Sequence, residues 1–148
     1  MSFFDTLFRR PASSQPLSPL QDPVLGALKW DKDCEGWVAD IAGVPAPATL
    51  YIGAGSASEY PTERLLALVR EPFRSCEEHY QRALVYLEQN AAFSAWNVDP
   101  RQLIFAGIQT FEHYLASRTY TINFTAPDES IWKVHFRDNR PTQWGVDD

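Results

Sequence analysis

A chain of 148 residues, 45% of them hydrophobic, has the size and apolar content of one ordinary domain with a single core. Its formal net charge of −6 argues against nucleic acid as a partner, because phosphate binding needs a concentrated Lys/Arg surface, and it suits a soluble protein or one that attracts a basic protein. Cys34 and Cys76 form no CxxC, no apolar run reaches the length of a membrane span, and MSFFDTLFRRPASSQ lacks the order of a secretory signal. The expectation is a cytoplasmic protein with reduced thiols.

The chain opens with a predicted short helix from Ser2 to Arg10. Ser2 is its N-cap, Asp5 stands three residues on, Phe4, Leu7 and Phe8 share a face, and Pro11 stops it. From Pro11 to Pro23, four prolines and three serines in thirteen residues predict an extended linker. A first segment, 1–21, is therefore divided from a single folded domain, 22–148. That domain begins with a strand from Val24 to Trp30, a turn at DKDCEG, and a second strand from Glu35 to Ile41 whose Trp37, Ala39 and Ile41 share a face. A third strand, Leu50 to Ile52, runs into the glycine-loosened IGAGSAS.

A helix follows, with Pro61 in its first turn, Ser58 or Glu59 as cap, and Leu65, Leu66, Leu68 and Val69 as its apolar stripe. Pro72 is expected to end or kink it near Arg70. A second helix, Phe73 to Asn90, carries Phe73, Cys76, Tyr80, Ala83, Leu84 and Leu87 at three-to-four spacing. Phe93 to Pro100 reads as a connector containing Trp96, and Leu103 to Thr110 as a strand, with helical potential from Glu112 to Ala116. The clearest signal is a hairpin. Tyr120, Ile122 and Phe124 alternate on one run, Trp132, Val134 and Phe136 on the next, and Ala126 to Ser130 make the turn. Arg137 to Asp148 reads as an irregular tail. Strands, then helix, then strands predict an α+β fold: an antiparallel sheet of about six strands with a helical layer, one kinked helix or two, on one face.

Few patterns carry chemistry. Cys76 and His79 are three apart on a helix, but zinc needs three or four ligands and no second cluster has the spacing, so no metal is expected. Cys76 reads as a buried stripe residue beside a surface His79, with Glu78 and Arg82 spaced to pair. No nucleophile motif accompanies Cys34, Cys76, His79, His113 or His135, and His135 is read as solvent-facing. Ile52 to Ser58 matches neither phosphate-binding glycine pattern and reads as a tight turn. No catalytic residue and no cofactor is predicted. What remains is acidic and aromatic surface: Asp31, Asp33, Glu35 and Asp40 around the first hairpin with Trp30 and Trp37, and Asp147 and Asp148 just after Trp144.

The stretch DPVLGALKWDKDCEGWVADI, through Asp22, Pro23, Leu25, Gly26, Trp30, Gly36 and Trp37, resembles the opening of small bacterial α+β domains of uncharacterised function, some of which serve as immunity or accessory proteins of toxin systems. The resemblance implies a bacterial binding protein and supplies no catalytic residue. Combined with the acidity and the aromatic content, it leads to an expected non-enzymatic immunity protein that neutralises a cognate toxin by occlusion. Its predicted partner-binding residues are Trp30, Asp31, Asp33, Glu35 and Trp37, with Trp144 and Asp147. Two alternatives stay open at this point: a small-ligand binder or enzyme using Cys76, Glu78 and His79 in a pocket between sheet and helices, and a scaffold docking through the Ser2 to Arg10 helix. The oligomeric state is not readable from the sequence.

Overall fold

The structure is a computed structural model and describes residues 16–147; the predicted Ser2 to Arg10 helix lies outside them. Eight strands form one sheet: β1 (Leu20–Asp22), β2 (Gly26–Asp31), β3 (Gly36–Ile41), β4 (Ala48–Gly53), β5 (Ile104–Phe111), β6 (Thr119–Thr125), β7 (Ile131–Arg137) and β8 (Arg140–Asp147). Their spatial order is their chain order. Short links make every neighbouring pair antiparallel except β4 and β5, which run parallel. The long connection from Gly53 to Ile104 carries the helices, and a crossover of that kind returns the chain in its original direction. The sheet is therefore mixed, eight-stranded and open, rather than antiparallel with about six strands.

The additional strands come from two places. β1 forms inside the predicted linker, where Leu20 pairs with Leu28, so the domain starts before Asp22. β8 forms where a tail was expected: Asp138 and Asn139 both hold positive φ, 49° and 61°, and make a two-residue turn that folds Arg140 to Asp147 back on β7. The DPVLG stretch is a turn and not the start of a strand. One oxygen of Asp22 accepts the backbone N–H groups of Val24 and Leu25, each at 2.9 Å, and the other accepts two N–H groups of Arg70 at 2.7 and 3.2 Å. Arg70 continues to Glu63, also an ion pair. Burial alone would raise the Asp22 carboxyl, but the Arg70 and turn hydrogen bonds outweigh it and hold the group below the usual carboxylate range.

The helical layer consists of α1 (Glu63–Arg74), α2 (Cys76–Glu88) and the short α3 (Ala91–Ser94). Thr62, not Ser58 or Glu59, caps α1 by accepting from the Leu65 N–H. Pro72 is buried inside α1, which continues to Arg74; the break falls at Ser75, whose ψ of 40° leaves the helical region. Proline withholds only its own N–H, and the Ser75 N–H still reaches Glu71 O at 3.0 Å, so the turn closes before the chain bends. All three helices pack on one face. Leu65, Leu66 and Val69 of α1, Ala83 and Leu87 of α2 and Phe93 of α3 bury against Trp37, Leu50, Ile52, Phe105, Ile108, Tyr120, Ile122, Phe124, Trp132, Val134 and Phe136. No helix among the described residues is long and apolar enough to cross a membrane.

The parallel junction is sterically tight. Gly107 sits at φ +154° beside a register shift in β5, and a Cβ there would lie 2.1 Å from the backbone oxygen of Thr49 on β4. Gly107→Ala combines backbone strain with a backbone clash that cannot be relieved by rotating a side chain, so a loss of about 3 kcal/mol or more is expected. The shift of the urea midpoint measures it; an unchanged midpoint would show that the junction can spread.

Candidate functional site

The sequence-predicted partner residues divide between the two faces and the two ends of the sheet. Trp37 is fully buried, donates its indole N–H to Glu59 O at 3.2 Å, and packs against Trp30 and Tyr60. It belongs to the core, and its removal from the partner surface is a correction: Trp37, Ala39 and Ile41 do alternate together, but on the helix-covered side. Trp30 pairs with it on the same side and is half-buried. Asp31 builds the β2–β3 turn by accepting the Asp33 and Cys34 N–H groups at 2.8 and 3.3 Å. Asp33 and Glu35 are exposed at that turn, and none of the ion pairs among the described residues uses them. Trp144 and Asp147 stand on β8, six strands from β2 and on the order of 30 Å away at the usual strand spacing. Trp144 stacks on Trp132 at 5.5 Å, with Phe93 and the 53% exposed Trp96 edge-on, and Asp147 is held by Lys133.

What Asp33 and Glu35 do join is a band of aromatic rings on the sheet face that carries no helix among the described residues. Tyr51, from β4, lays its ring over Gly36 and donates its hydroxyl to Cys34 O at 2.9 Å, tying the acidic turn to this face. Phe111, at the end of β5, covers Gly53 in the same way and meets Tyr51 at 5.7 Å. His113 stacks on Phe111 at 5.3 Å, and Tyr114 touches both before reaching His135 of β7 at 6.5 Å. Beside the band lies a polar row, where Thr121 donates to Asn123 at 3.0 Å and Asn123 to Gln109 at 3.4 Å. His135 stands on the face opposite Trp132, Val134 and Phe136, as expected, but is half-buried there, and burial, then Lys133, pushes its imidazole below the ordinary value. These aromatic residues escaped the sequence reading because Tyr51 sat in a three-residue strand with no face assigned, and FEHY followed a strand of ambiguous end. The signal present was the pair Gly36 and Gly53, each small enough to accept a neighbouring ring.

The rival cluster is differently arranged from its prediction. His79 is 2% exposed, not a surface group, and lies between Tyr120 and Phe136, each 5.9 Å away. The carbonyl of Ser75, 3.3 Å from Nδ1, can only accept, so Nδ1 carries the proton and Nε2 presents a lone pair with no partner among the described residues. Arg82 Nε is likewise buried and unpartnered, while its guanidinium donates to Asn139 O at 2.9 Å and sits over Phe136. Burial, then Arg82, lowers the His79 pKa. Burial raises the Cys76 thiol, which disfavours its nucleophilic form. Cys34 and Cys76 are both free thiols. Among the described residues no group of three or more His, Cys, Asp or Glu is placed to hold a metal ion.

His79 and His135 generate a pH expectation. Both are kept neutral by the fold, against an ordinary pKa of 6.5. Below about pH 6.5 the unfolded chain takes up protons that the folded chain refuses, so stability is full above that value and falls as pH drops toward the folded pKa values. Carboxylates such as Asp22, held low, add their loss only in stronger acid. Urea midpoints should decline between about pH 7 and about pH 5.5, and the double variant H79Q/H135Q should flatten that slope; an equal slope in both proteins refutes the assignment.

Comparison of the chain with family models, with curated proteins and with solved structures returned no match.

Proposed function

We propose that this chain is a non-enzymatic binding protein of the bacterial cytoplasm, an immunity protein that neutralises a cognate toxin by lying over its basic, substrate-binding surface. The observation that carries the reading is the continuity of the acidic β2–β3 turn, Asp33 and Glu35, with the band Tyr51, Phe111, His113, Tyr114 on the helix-free sheet face. Rings of this kind supply contact area at little entropic cost, and unpaired carboxylates at their margin attract and orient a basic partner. The resemblance read in DPVLGALKWDKDCEGWVADI, to small bacterial α+β domains of which some are immunity or accessory proteins of toxin systems, is in keeping with this reading. Trp37 is not part of this surface; Tyr51, Phe111, His113 and Tyr114 take its place.

Co-purification from the native cell identifies the partner, and titration calorimetry against it tests the surface. D33K/E35K is expected to weaken binding at least tenfold and to slow association, with added salt weakening the parent in the same direction. An affinity unchanged by D33K/E35K and by H113A/Y114A would exclude this face.

A second reading, a small-ligand binder, rests on one observation: the lone pair of His79 Nε2 and the N–H of Arg82 Nε are buried without partners among the described residues, and Arg82 lines a groove of about 420 Å³. A ligand hydroxyl offers both a donor for the His79 lone pair and an acceptor for the Arg82 N–H. A thermal-shift screen of polyols, nucleosides and hydroxy acids should then raise the melting temperature for the parent and not for H79F; no shift with any class removes the reading.

A further inference from the structure

The two edges of the sheet are finished differently. β1 is three residues long. β8 is eight residues long, carries no lysine, and among the described residues has a strand neighbour on one side only. An edge of that length is an open template for another strand, and natural edges are usually shortened, charged or covered. Next to it, on the helix side, the groove between α2 and the start of β8 is lined by Gln81, Arg82, Val85, Tyr86 and Pro141. Val85 on α2 and Trp96 in the turn after α3, two of the large apolar side chains most exposed among the described residues at 47% and 53%, stand on this side.

We propose that β8 pairs antiparallel with β8 of a second copy about a two-fold axis at Trp144, forming a homodimer in which the sheet continues from one chain into the next. Charge complementarity selects this occupant. β8 begins with Arg140 and ends with Asp147, so an antiparallel self-pairing sets Arg140 opposite Asp147 of the partner subunit at both ends, a second cation beside the carboxylate that Lys133 already holds within each chain. The alternation of faces agrees. His135 pairs with Gln143 and Phe136 with Pro141, so Thr142 is the extra residue of a bulge. Pro141, Trp144 and Val146, opposite the buried Phe136, Val134 and Trp132, point to the helix side; Arg140, Gln143, Gly145 and Asp147 point to the open face.

Pairing about Trp144 then sets like face on like face throughout. Arg140 meets the partner's Asp147, Pro141 the partner's Val146, Gln143 the partner's Gly145, and Trp144 its own symmetry mate. A slip of one residue would set every apolar side chain against a polar face. A foreign peptide has no reason to reproduce this self-complementarity, and Pro141, which lacks an N–H, removes only one ladder bond at each end. The two-layer edge presented is about 27 Å long at the usual rise per strand residue, with α2 alongside.

Sedimentation equilibrium of the full chain tests the pairing. Twice the mass of one chain is expected at about 100 μM, with dissociation on dilution. R140D should weaken self-association at least tenfold, because it sets two carboxylates opposite each other twice, and the swap R140D/D147R should restore it to within about threefold. V85D, at an exposed helix position that leaves the core alone, should also weaken it at least tenfold. A monomer at every concentration, an R140D variant that associates like the parent, or an R140D defect that the swap fails to rescue would each overturn the proposal. So would a monomer that captures an extended peptide along β8, which would give the edge to a different occupant. D33K/E35K, on the far side of the sheet, leaves the mass unchanged, so this result and the fate of the partner-binding face are read separately.

Discussion

Everything in this molecule hangs on one ladder, the parallel pairing of β4 with β5. The four strands before it and the four after it are meanders that each need only short turns, and nothing but this ladder makes them one sheet. A parallel pair is slightly weaker per residue than an antiparallel one and demands a crossover, which here consists of the three helices. Those helices in turn find their burial only because the joined sheet is wide enough to receive them. Gly107 is where the demand becomes atomic: the Thr49 carbonyl approaches so closely that no side chain fits. Sheet continuity, the helical layer and the core are thus consequences of one close backbone approach.

The Asp22 and Arg70 contact ties the far edge into the same arrangement. Asp22 ends β1, organises the turn to β2 through Val24 and Leu25, and grips α1 through Arg70. An aspartate this buried is tolerable only because every part of its carboxylate is engaged by hydrogen bonds and a cation. The DPVLG segment therefore carries a structural signature, a turn locked to a helix.

The legible parts of the sequence were those where period and turn chemistry agree. Tyr120, Ile122 and Phe124 against Trp132, Val134 and Phe136 form the predicted hairpin in register, with Tyr120 opposite Phe136 and Ile122 opposite Val134. Leu65, Leu66 and Val69 of α1 and Ala83 and Leu87 of α2 are buried where three-to-four spacing placed them, whereas Phe73, expected to open the second helix, stands in α1. β8 was illegible because RPTQWGVD does not alternate: the bulge at Thr142 shifts its period midway, and the Asp138 and Asn139 turn needs positive φ at two residues that were not read as a hairpin signal. Parallel pairing was illegible because it follows from a tertiary return path. His79 was misplaced because a helical position between two stripe residues, the half-buried Cys76 and the buried Ala83, can face either way, and the rings of Tyr120 and Phe136 decided it. At the candidate site the acidic turn was read from sequence, and Trp37 was taken for its neighbour because alternation gives two faces without saying which is covered.

That last ambiguity explains why the uncommitted surface lies where it does. A sheet with helices on one side has two places where it stays unsatisfied, its bare face and its open edge. The bare face here is finished partly by hydrogen bonds among Gln109, Thr121 and Asn123 and partly by rings lying on glycines, a solution that leaves flat aromatic area available and an acidic turn beside it. The open edge is finished by neither device. Backbone amides and carbonyls on its outer side differ from aromatic area in what they select: they ask for an extended strand of compatible register, not for a surface of opposite charge. A strand whose two ends carry opposite charge and whose faces match its own reverse meets that request with itself. The two surfaces are therefore physically suited to different occupants, and they meet only at His135, which touches Tyr114 of the band and pairs with Gln143 of β8.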